Sequence, residues 1–453
     1  MPESSALTIE IVLLSGKTAS VSAKMDDTVA ELKERAERKL NMPLRCLVSP
    51  MGILQPGQSM RDAGVQSGQI MTAAAKPVKV VSGRTASAFV MIKFDGSVVA
   101  WGDCHRGGSC NTCLEQIQEV RVNSGACAAL HVNGTVATWG DPSFGGRCVN
   151  SVGSLLQEAS KGGSEELKRL MVRQICASAA AFAAVRVDGS VVAWGMSSCG
   201  GVVPPDVQHE LYDIEELQAC GTAFAAKRSD GQVITWGDPR FGGNSSRVRH
   251  RLTGVKEIEA CDGAFAAICQ DGSVVTWGNR VRGGDSAHVQ DQLKHVERIY
   301  STFGAFAAVR ADGIVVTWGA RDAGGACDVQ IQHVRTIAGT SAAFAALLED
   351  GSVVTWGSTR FGGHMADSVK ARLQGVEELY ASSGAFAAIL ATGEVVTWGD
   401  ASRGGDSSAV QPLTDVEYIV GSFAAFAAIR SDGSVVAWGD PECGGDNGLD
   451  RKN

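Results

Sequence analysis

The chain has 453 residues, with 41 Lys and Arg against 49 Asp and Glu, a formal net charge of −8. Hydrophobic residues make up 44% and charged residues 20%, which suits a folded protein with a large core and excludes a disordered, highly charged one. The acidic balance argues against a phosphate-tracking nucleic-acid binder, which carries a basic stripe.

The start, Met1-Pro2-Glu3-Ser4-Ser5, shows no basic region followed by an apolar stretch, so no secretory signal is expected. No run approaches the roughly 18 apolar residues of a membrane-spanning helix, and no membrane partner is expected. Thirteen cysteines form an odd set without framework spacing. They read as reduced thiols of a cytoplasmic protein, the nucleus being the other compartment compatible with them.

Residues 6–76 form the first predicted domain. Leu7, Ile9, Ile11 and Leu13 alternate, Ser15-Gly16-Lys17 turns the chain, and Ala19, Val21 and Ala23 alternate again. Thr28-Val29-Ala30-Glu31 is a capping box opening a helix, with Val29, Leu32, Ala36 and Leu40 at helical spacing. Leu47-Val48 and Ile70-Met71 supply later strands. This ββαββ order, with Ser15-Gly16-Lys17-Thr18 and Arg45-Cys46-Leu47-Val48, resembles the ubiquitin-like (β-grasp) domain. Conjugation in that family needs a free C-terminal Gly-Gly, whereas Ala73-Ala74-Ala75-Lys76-Pro77 runs on into the next domain. The resemblance therefore implies docking, through a surface patch whose matching positions are Leu47, Met71 and Ala73. The bland alternative is a folded cap on the edge of the second domain.

Residues 77–453 are a repeat array. All nine tryptophans are followed by glycine, from Trp101 to Trp438, at spacings of 38, 55, 42, 41, 41, 38, 42 and 40 residues. A Gly-Gly pair follows each at a fixed offset, and a phenylalanine stands twelve residues before each, with Cys127 in that place in the second copy. Phe265 with Trp277, Phe306 with Trp318 and Phe386 with Trp398 are examples, and these rings read as repeat core. Asp-Gly between them supplies the positive φ of a hairpin turn, and β-branched residues suit the strand that follows. A shorter apolar pair, such as Val255 and Ile258, precedes each hairpin. The reading is nine three-stranded repeats of about 40 residues that stack as a β-propeller-like array, closed or open, in a mostly β chain. The first repeat is expected to begin with its outer strand (Val78, Val80) and the last to lack a following one, so that the first segment could complete the last blade.

The ladder of Val-x-x-Ile, a small-residue strand, Asp-Gly-x-Val-Val-x-Trp-Gly-Asp and a Gly pair resembles the regulator of chromosome condensation repeat family. It is especially similar to the short repeats of the propeller-type β-lactamase inhibitor protein. Similar propellers occur in HECT-class ubiquitin ligases, but no catalytic HECT domain is present in this sequence.

Other chemistry is thin. Phosphate-binding, zinc-protease and serine-hydrolase motifs are missing, so no catalytic residue and no cofactor are expected. Cys104-His105 with Cys110 and Cys113 is half of a zinc signature without its second half, so no metal is expected. The loops between Trp-Gly and Gly-Gly carry Arg106, Arg240, Arg280, Arg282, Arg321, Arg360 and Arg403, a basic rim suited to an acidic protein partner. Asp103, Asp238, Asp322 and Asp400 in the same loops are placed to neutralise it. An insertion near 151–170 breaks the repeat and is an interaction candidate. The resulting expectation is a non-enzymatic scaffold or adaptor for a protein partner, linked by the resemblance to ubiquitin-pathway components, with no nucleic acid bound. The alternatives are a guanine nucleotide exchange factor for a small GTPase and a protein inhibitor of an enzyme.

Overall fold

The computed structural model describes residues 7–13, 18–40, 44–50, 52–75, 78–93, 95–110, 114–147 and 170–448. The chain divides into two compact units, one of residues 1–79 with 414–418 and 428–436, the other of the remainder. Among the described residues no helix is long and apolar enough to cross a membrane.

The first unit holds β1 (Leu7–Leu13), β2 (Thr18–Ala23), α1 (Val29–Leu40), β3 (Leu44–Ser49), β4 (Gly52–Ile53) and β5 (Ile70–Ala75). They form one mixed sheet in the order β2-β1-β5-β3-β4, in which β1 and β5 run parallel. The capping box forms as written: the Thr28 N–H donates to Glu31 Oε2 at 2.8 Å, and the Glu31 N–H donates to Thr28 Oγ1 at 3.3 Å. Two orphan donors of the first helical turn are thereby satisfied. The helix buries Val29, Leu32, Ala36 and Leu40 in a core shared with Ile9, Ile11, Leu44 and Met71.

The second region is nine three-stranded antiparallel sheets, one per repeat. Repeat 5 shows the pattern, with a first strand Val255–Ala260, a middle strand Ala264–Cys269 and a third strand Val274–Gly278. In the hairpin turn only the glycine takes positive φ, +76° at Gly272. The aspartate beside it braces the turn through its side chain, with Asp271 Oδ1 accepting the Ser273 N–H at 2.9 Å. Phe265 pairs across the sheet with Trp277, and their rings stack at 5.1 Å. The same stack recurs in eight repeats at 5.1–5.5 Å. Each stack adds about 0.5–1.5 kcal/mol beyond area burial. Phe265, Trp277, Phe306, Trp318, Phe386 and Trp398 are all buried.

Neighbouring sheets meet small against large. Ala223 and Ala225 of repeat 4 pack in one cluster with Phe265, Ala267 and Trp277 of repeat 5. Alanine on one face lets the next sheet approach closely enough to cover the aromatic pair, so one short motif supplies both sides of every interface.

Two expectations need correction. The first strand of each repeat is innermost: neighbouring first strands adjoin one another and line a shared axial cavity. The first segment also does not complete the last blade, because Lys79–Val81 pairs in the sheet of its own repeat with Ala88–Ile92. A short turn joins each first strand to the middle strand after it, so local antiparallel pairing wins over exchange between distant repeats.

The ring closes by another device. Every tryptophan Nε1–H donates to the carbonyl of the first glycine of the preceding repeat's Gly-Gly pair, as in Trp277 to Gly242 at 3.1 Å and Trp318 to Gly283 at 3.0 Å. Trp101 of the first repeat donates to Gly444 of the last at 3.1 Å, in the same geometry. The Phe423 N–H of repeat 9 donates to the Ala86 carbonyl of repeat 1 at 2.8 Å.

Candidate protein-binding mouth of the repeat ring

One end of the ring is built from two loops per repeat: the turn joining the first and middle strands, and the short 3-10 turn after each Trp-Gly. The aspartate of Trp-Gly-Asp caps the 3-10 turn. Asp238 accepts the Arg240 N–H at 2.9 Å, and Asp400 accepts the Ser402 N–H at 3.0 Å.

A repeated latch ties the two loops together. In repeats 2–9 a small donor stands four residues before the middle-strand aromatic position, and its side chain reaches the carbonyl of the residue 21 positions on. Ser178 donates to Cys199 O at 2.9 Å, Thr302 to Ala323 O at 2.9 Å, and Ser382 to Arg403 O at 2.8 Å. Asn123 makes the bond with its amide and Cys220 and Cys261 with their thiols. Burial pushes the Cys220 and Cys261 thiols up to about 12, so both remain protonated donors rather than nucleophiles. Around the inner edge the turns join one another through backbone bonds, such as Gly221 N–H to Asp262 O at 2.9 Å and Phe303 N–H to Ser341 O at 3.0 Å.

On this fixed rim stand five partly exposed phenylalanines that sequence reading passed over: Phe144, Phe241, Phe303, Phe361 and Phe423. A signal was present. Three lie five residues after a repeat tryptophan, and two lie three residues before a repeat phenylalanine. Arginines stack between them. The Arg403 guanidinium lies 4.7 Å from the Phe423 ring centre and 5.4 Å from that of Phe361, while Arg84 lies 5.8 Å from Phe303.

Of the rim arginines expected from sequence, Arg106, Arg240 and Arg360 are exposed and Arg403 is half-buried. None is a free cation. Arg240 meets Asp238 at 2.7 Å, Arg106 meets Asp103 at 3.5 Å, and Asp400 takes both Arg360 at 3.2 Å and Arg403 at 3.9 Å. The guanidinium beside Asp238 holds its carboxyl below the usual carboxylate range. The rim is therefore a mosaic of apolar rings and locally neutralised charge, not a basic band.

Arg84 reaches from repeat 1 across the axis, donating to Ser301 O at 2.8 Å and to Gly339 O at 3.3 Å. Ser301 Oγ in turn donates to Glu259 at 2.8 Å. Burial pushes the Glu259 carboxyl up to about 7, against the opposing pull of the Ser301 bond and the charge of Arg84. Beside this network lies an axial cavity of about 530 Å³, lined by first-strand residues including Arg121, Gln174, Glu216 and Gln218.

The expected patch in the first unit is corrected. Leu47, Met71 and Ala73 are buried in its core and present no surface. A register shift between Leu44 and Cys46 turns the other set of β3 side chains outward. The solvent face instead carries Ile70, 58% exposed, with Thr72 beside Val48 on the neighbouring strand. Cys104 is exposed and Cys110 half-buried, while Cys113 lies outside the described residues. Among the described residues no group of three potential ligands is placed to hold a metal ion. The insertion near 151–170 lies, except for Leu170, outside the described residues.

No family model and no curated protein matches the chain. Among solved structures it is similar to yeast RCC1 (Prp20) bound to Kap60, at 14% identity over 77% of this chain and 88% of that one, with a TM-score of 0.41. It is also similar to Prp20p from Saccharomyces cerevisiae, described with its binding to Gsp1p and histones, at 13% identity over 77% and 90% and a TM-score of 0.40. The UBL domain of Plasmodium falciparum Dsk2 matches at 22% identity over 16% of this chain and 100% of that domain, with a TM-score of 0.15. The fold stands on the strand pairing described above: a ring of nine three-stranded sheets, preceded in the chain by one small mixed sheet.

Proposed function

We propose that this chain is a non-enzymatic, protein-binding scaffold that engages a partner through the mouth of its ring. The observation that carries the reading is the set of five partly exposed phenylalanines, interleaved with stacked arginines, on loops held in place by the latch. Aromatic rings and arginines on a rigid frame are the residue types that dominate binding energy at protein interfaces. Charge locally neutralised by Asp103, Asp238 and Asp400 favours a partner of mixed polarity over a strongly acidic one.

The first unit is assigned a second docking role, toward ubiquitin-handling proteins, through the solvent face around Ile70. Its sheet order and helix support that reading.

The test uses the full chain as bait in native lysate, beside the variants Phe303→Ser/Phe423→Ser and Ile70→Lys. The first variant is expected to lose the mouth's partner and the second to lose only ubiquitin-handling proteins. Capture unchanged by Phe303→Ser/Phe423→Ser, with circular dichroism also unchanged, removes the mouth from the function.

A further inference from the structure

The crossovers that lead from one repeat to the next share a plan. A valine and a buried leucine four residues on anchor a short helical turn: Val207 and Leu211, Val248 and Leu252, Val289 and Leu293, Val369 and Leu373. The first position after the valine also serves the scaffold, with Gln208 donating to Val191 O at 3.2 Å and Gln290 to Val274 O at 3.0 Å, whereas in repeats 3–5 the position before the valine and the second and third after it make no such bond to a strand. Repeat 3 fills these four positions with Asp206, Gln208, His209 and Glu210, and repeat 5 with His288, Gln290, Asp291 and Gln292. Repeat 4 fills them with Arg247, Arg249, His250 and Arg251, of which Arg249, His250 and Arg251 are exposed and Arg247 is half-exposed. The scaffold asks no strand bond of the positions that Arg247 and Arg251 fill, so these two cations of repeat 4 are not explained by the fold.

The turn that presents them is firmly held. The Ser245 N–H donates to Thr235 Oγ1 at 3.1 Å, the two hydroxyls bond at 3.1 Å, and Leu252 is sealed in the core. Arg249 is paired with Glu210. Among the described residues no carboxylate stands within ion-pair distance of Arg247 or Arg251, in contrast to the arginines of the mouth. Three grooves adjoin the turn and share Ser246, of which one lies toward Asp206, Glu210 and Arg249 and the other two toward Arg247 and His250. One of about 450 Å³ takes in Asn244, Arg247 and the buried edge of Trp277, and one of about 430 Å³ takes in Gln232, His250 and Thr253.

From this geometry we infer that the 244–253 crossover of repeat 4 is a docking site for an acidic peptide, an extended segment of another protein whose Asp and Glu side chains pair with Arg247 and Arg251. The groove walls offer hydroxyls and amides suited to a peptide backbone. Their one large aromatic ring, Trp277, is buried and gives a base no face to stack on, which leaves the small imidazole of His250 as the exposed ring among the residues lining them. A net charge of −8 over the whole chain also opposes a long nucleic acid while leaving a short acidic segment free to use the local cations. The larger groove shares Pro239 and Arg280 with the loops of the mouth, but it takes in none of the rim phenylalanines, and the inference does not rest on the reading given to them.

The test is fluorescence anisotropy on the full chain with a labelled ten-residue peptide of Glu, Asp and Ser, its Lys-substituted counterpart, and a ten-nucleotide oligo-dT. The acidic peptide binds, its affinity falls as salt rises, and the other two probes bind at least tenfold more weakly. Arg247→Glu/Arg251→Glu weakens the acidic peptide by about tenfold or more, which corresponds to about 1.4 kcal/mol. Arg247→Gln/Arg251→Gln, which removes charge without adding repulsion, falls between that variant and the parent. Phe303→Ser/Phe423→Ser leaves the affinity unchanged, which separates this site from the mouth. Equal binding by the parent and Arg247→Gln/Arg251→Gln overturns the proposal, as does equal or tighter binding of the Lys peptide or of the oligonucleotide.

Discussion

Ring closure makes a sharp energetic demand. If repeats 1 and 9 are true neighbours, the Trp101 bond to Gly444 is equivalent to the Trp277 bond to Gly242, both 3.1 Å long and buried. Replacing either tryptophan with phenylalanine keeps a ring over its partner, Phe89 or Phe265, but leaves a buried carbonyl without a donor. That loss costs about 1–3 kcal/mol, and the vacated volume adds more in both cases alike. Trp101→Phe and Trp277→Phe should therefore destabilise the chain by similar amounts, about 2–4 kcal/mol. In an open stack Trp101 would face water, and its replacement would cost only packing. The assay is urea unfolding followed by far-ultraviolet circular dichroism, because each variant removes one fluorophore. A shift for Trp101→Phe below half that for Trp277→Phe would refute closure.

Three further outcomes follow from particular contacts. Thr302→Val removes the donor to Ala323 O and should cost about 1–3 kcal/mol in the same unfolding assay, while Thr302→Ser, which keeps the hydroxyl, should cost far less. Leu47→Ala should destabilise the first unit by about 2–5 kcal/mol and Ile70→Ala by less than about 0.5, since the first is buried and the second exposed; the reverse order would restore the discarded surface patch. Glu259 has a folded pKa of about 7 against an ordinary 4.5, so the folded state binds the extra proton, and its contribution is full below 4.5 and is lost as pH rises to 7. Glu259→Gln should therefore gain on the parent by on the order of 3 kcal/mol between pH 4.5 and 8, over a pH-independent offset from Arg84; a flat difference would show a carboxyl in ordinary contact with water.

The repeats were legible because one motif recurs nine times, and the first unit because a capping box and alternating strands agree. The failures have physical causes. An apolar pair such as Val255 and Ile258 states that both residues are buried but not which neighbour buries them, so an inner strand reads as an outer one. In β3 and β5 both faces carry apolar side chains, Leu47 and Met71 on one and Val48 and Ile70 on the other. Alternation alone could not choose between them, and the shift after Leu44 decided the matter. The latch escaped notice because Asn123, Ser178, Cys220 and Thr302 share a hydrogen-bond role rather than a hydropathy. The rim phenylalanines occur in only some repeats, where a scan for invariant positions passes over them.

Nine sheets around one axis leave space at the centre, and this chain closes part of it in two ways. Glycine lets inner strands touch backbone to backbone: a Cβ on Gly339 would lie 2.3 Å from the Ser301 oxygen, and one on Gly421 would lie 2.2 Å from that of Ala381. Where strands stay apart, Arg84 spans the gap and joins repeat 1 to repeats 6 and 7. A charge so deeply placed is an expensive filler, and burial lowers the pKa of Arg84 as it raises that of Glu259. Their charges are mutually favourable, yet each is disfavoured by its surroundings, so the pair contributes less to stability than its geometry suggests. Its effect is to set which first strands face one another, leaving the axial cavity on the side of repeats 1–4 and 9. The ring therefore has a distinguishable front and back around its circumference, which nine near-identical repeats alone would not provide.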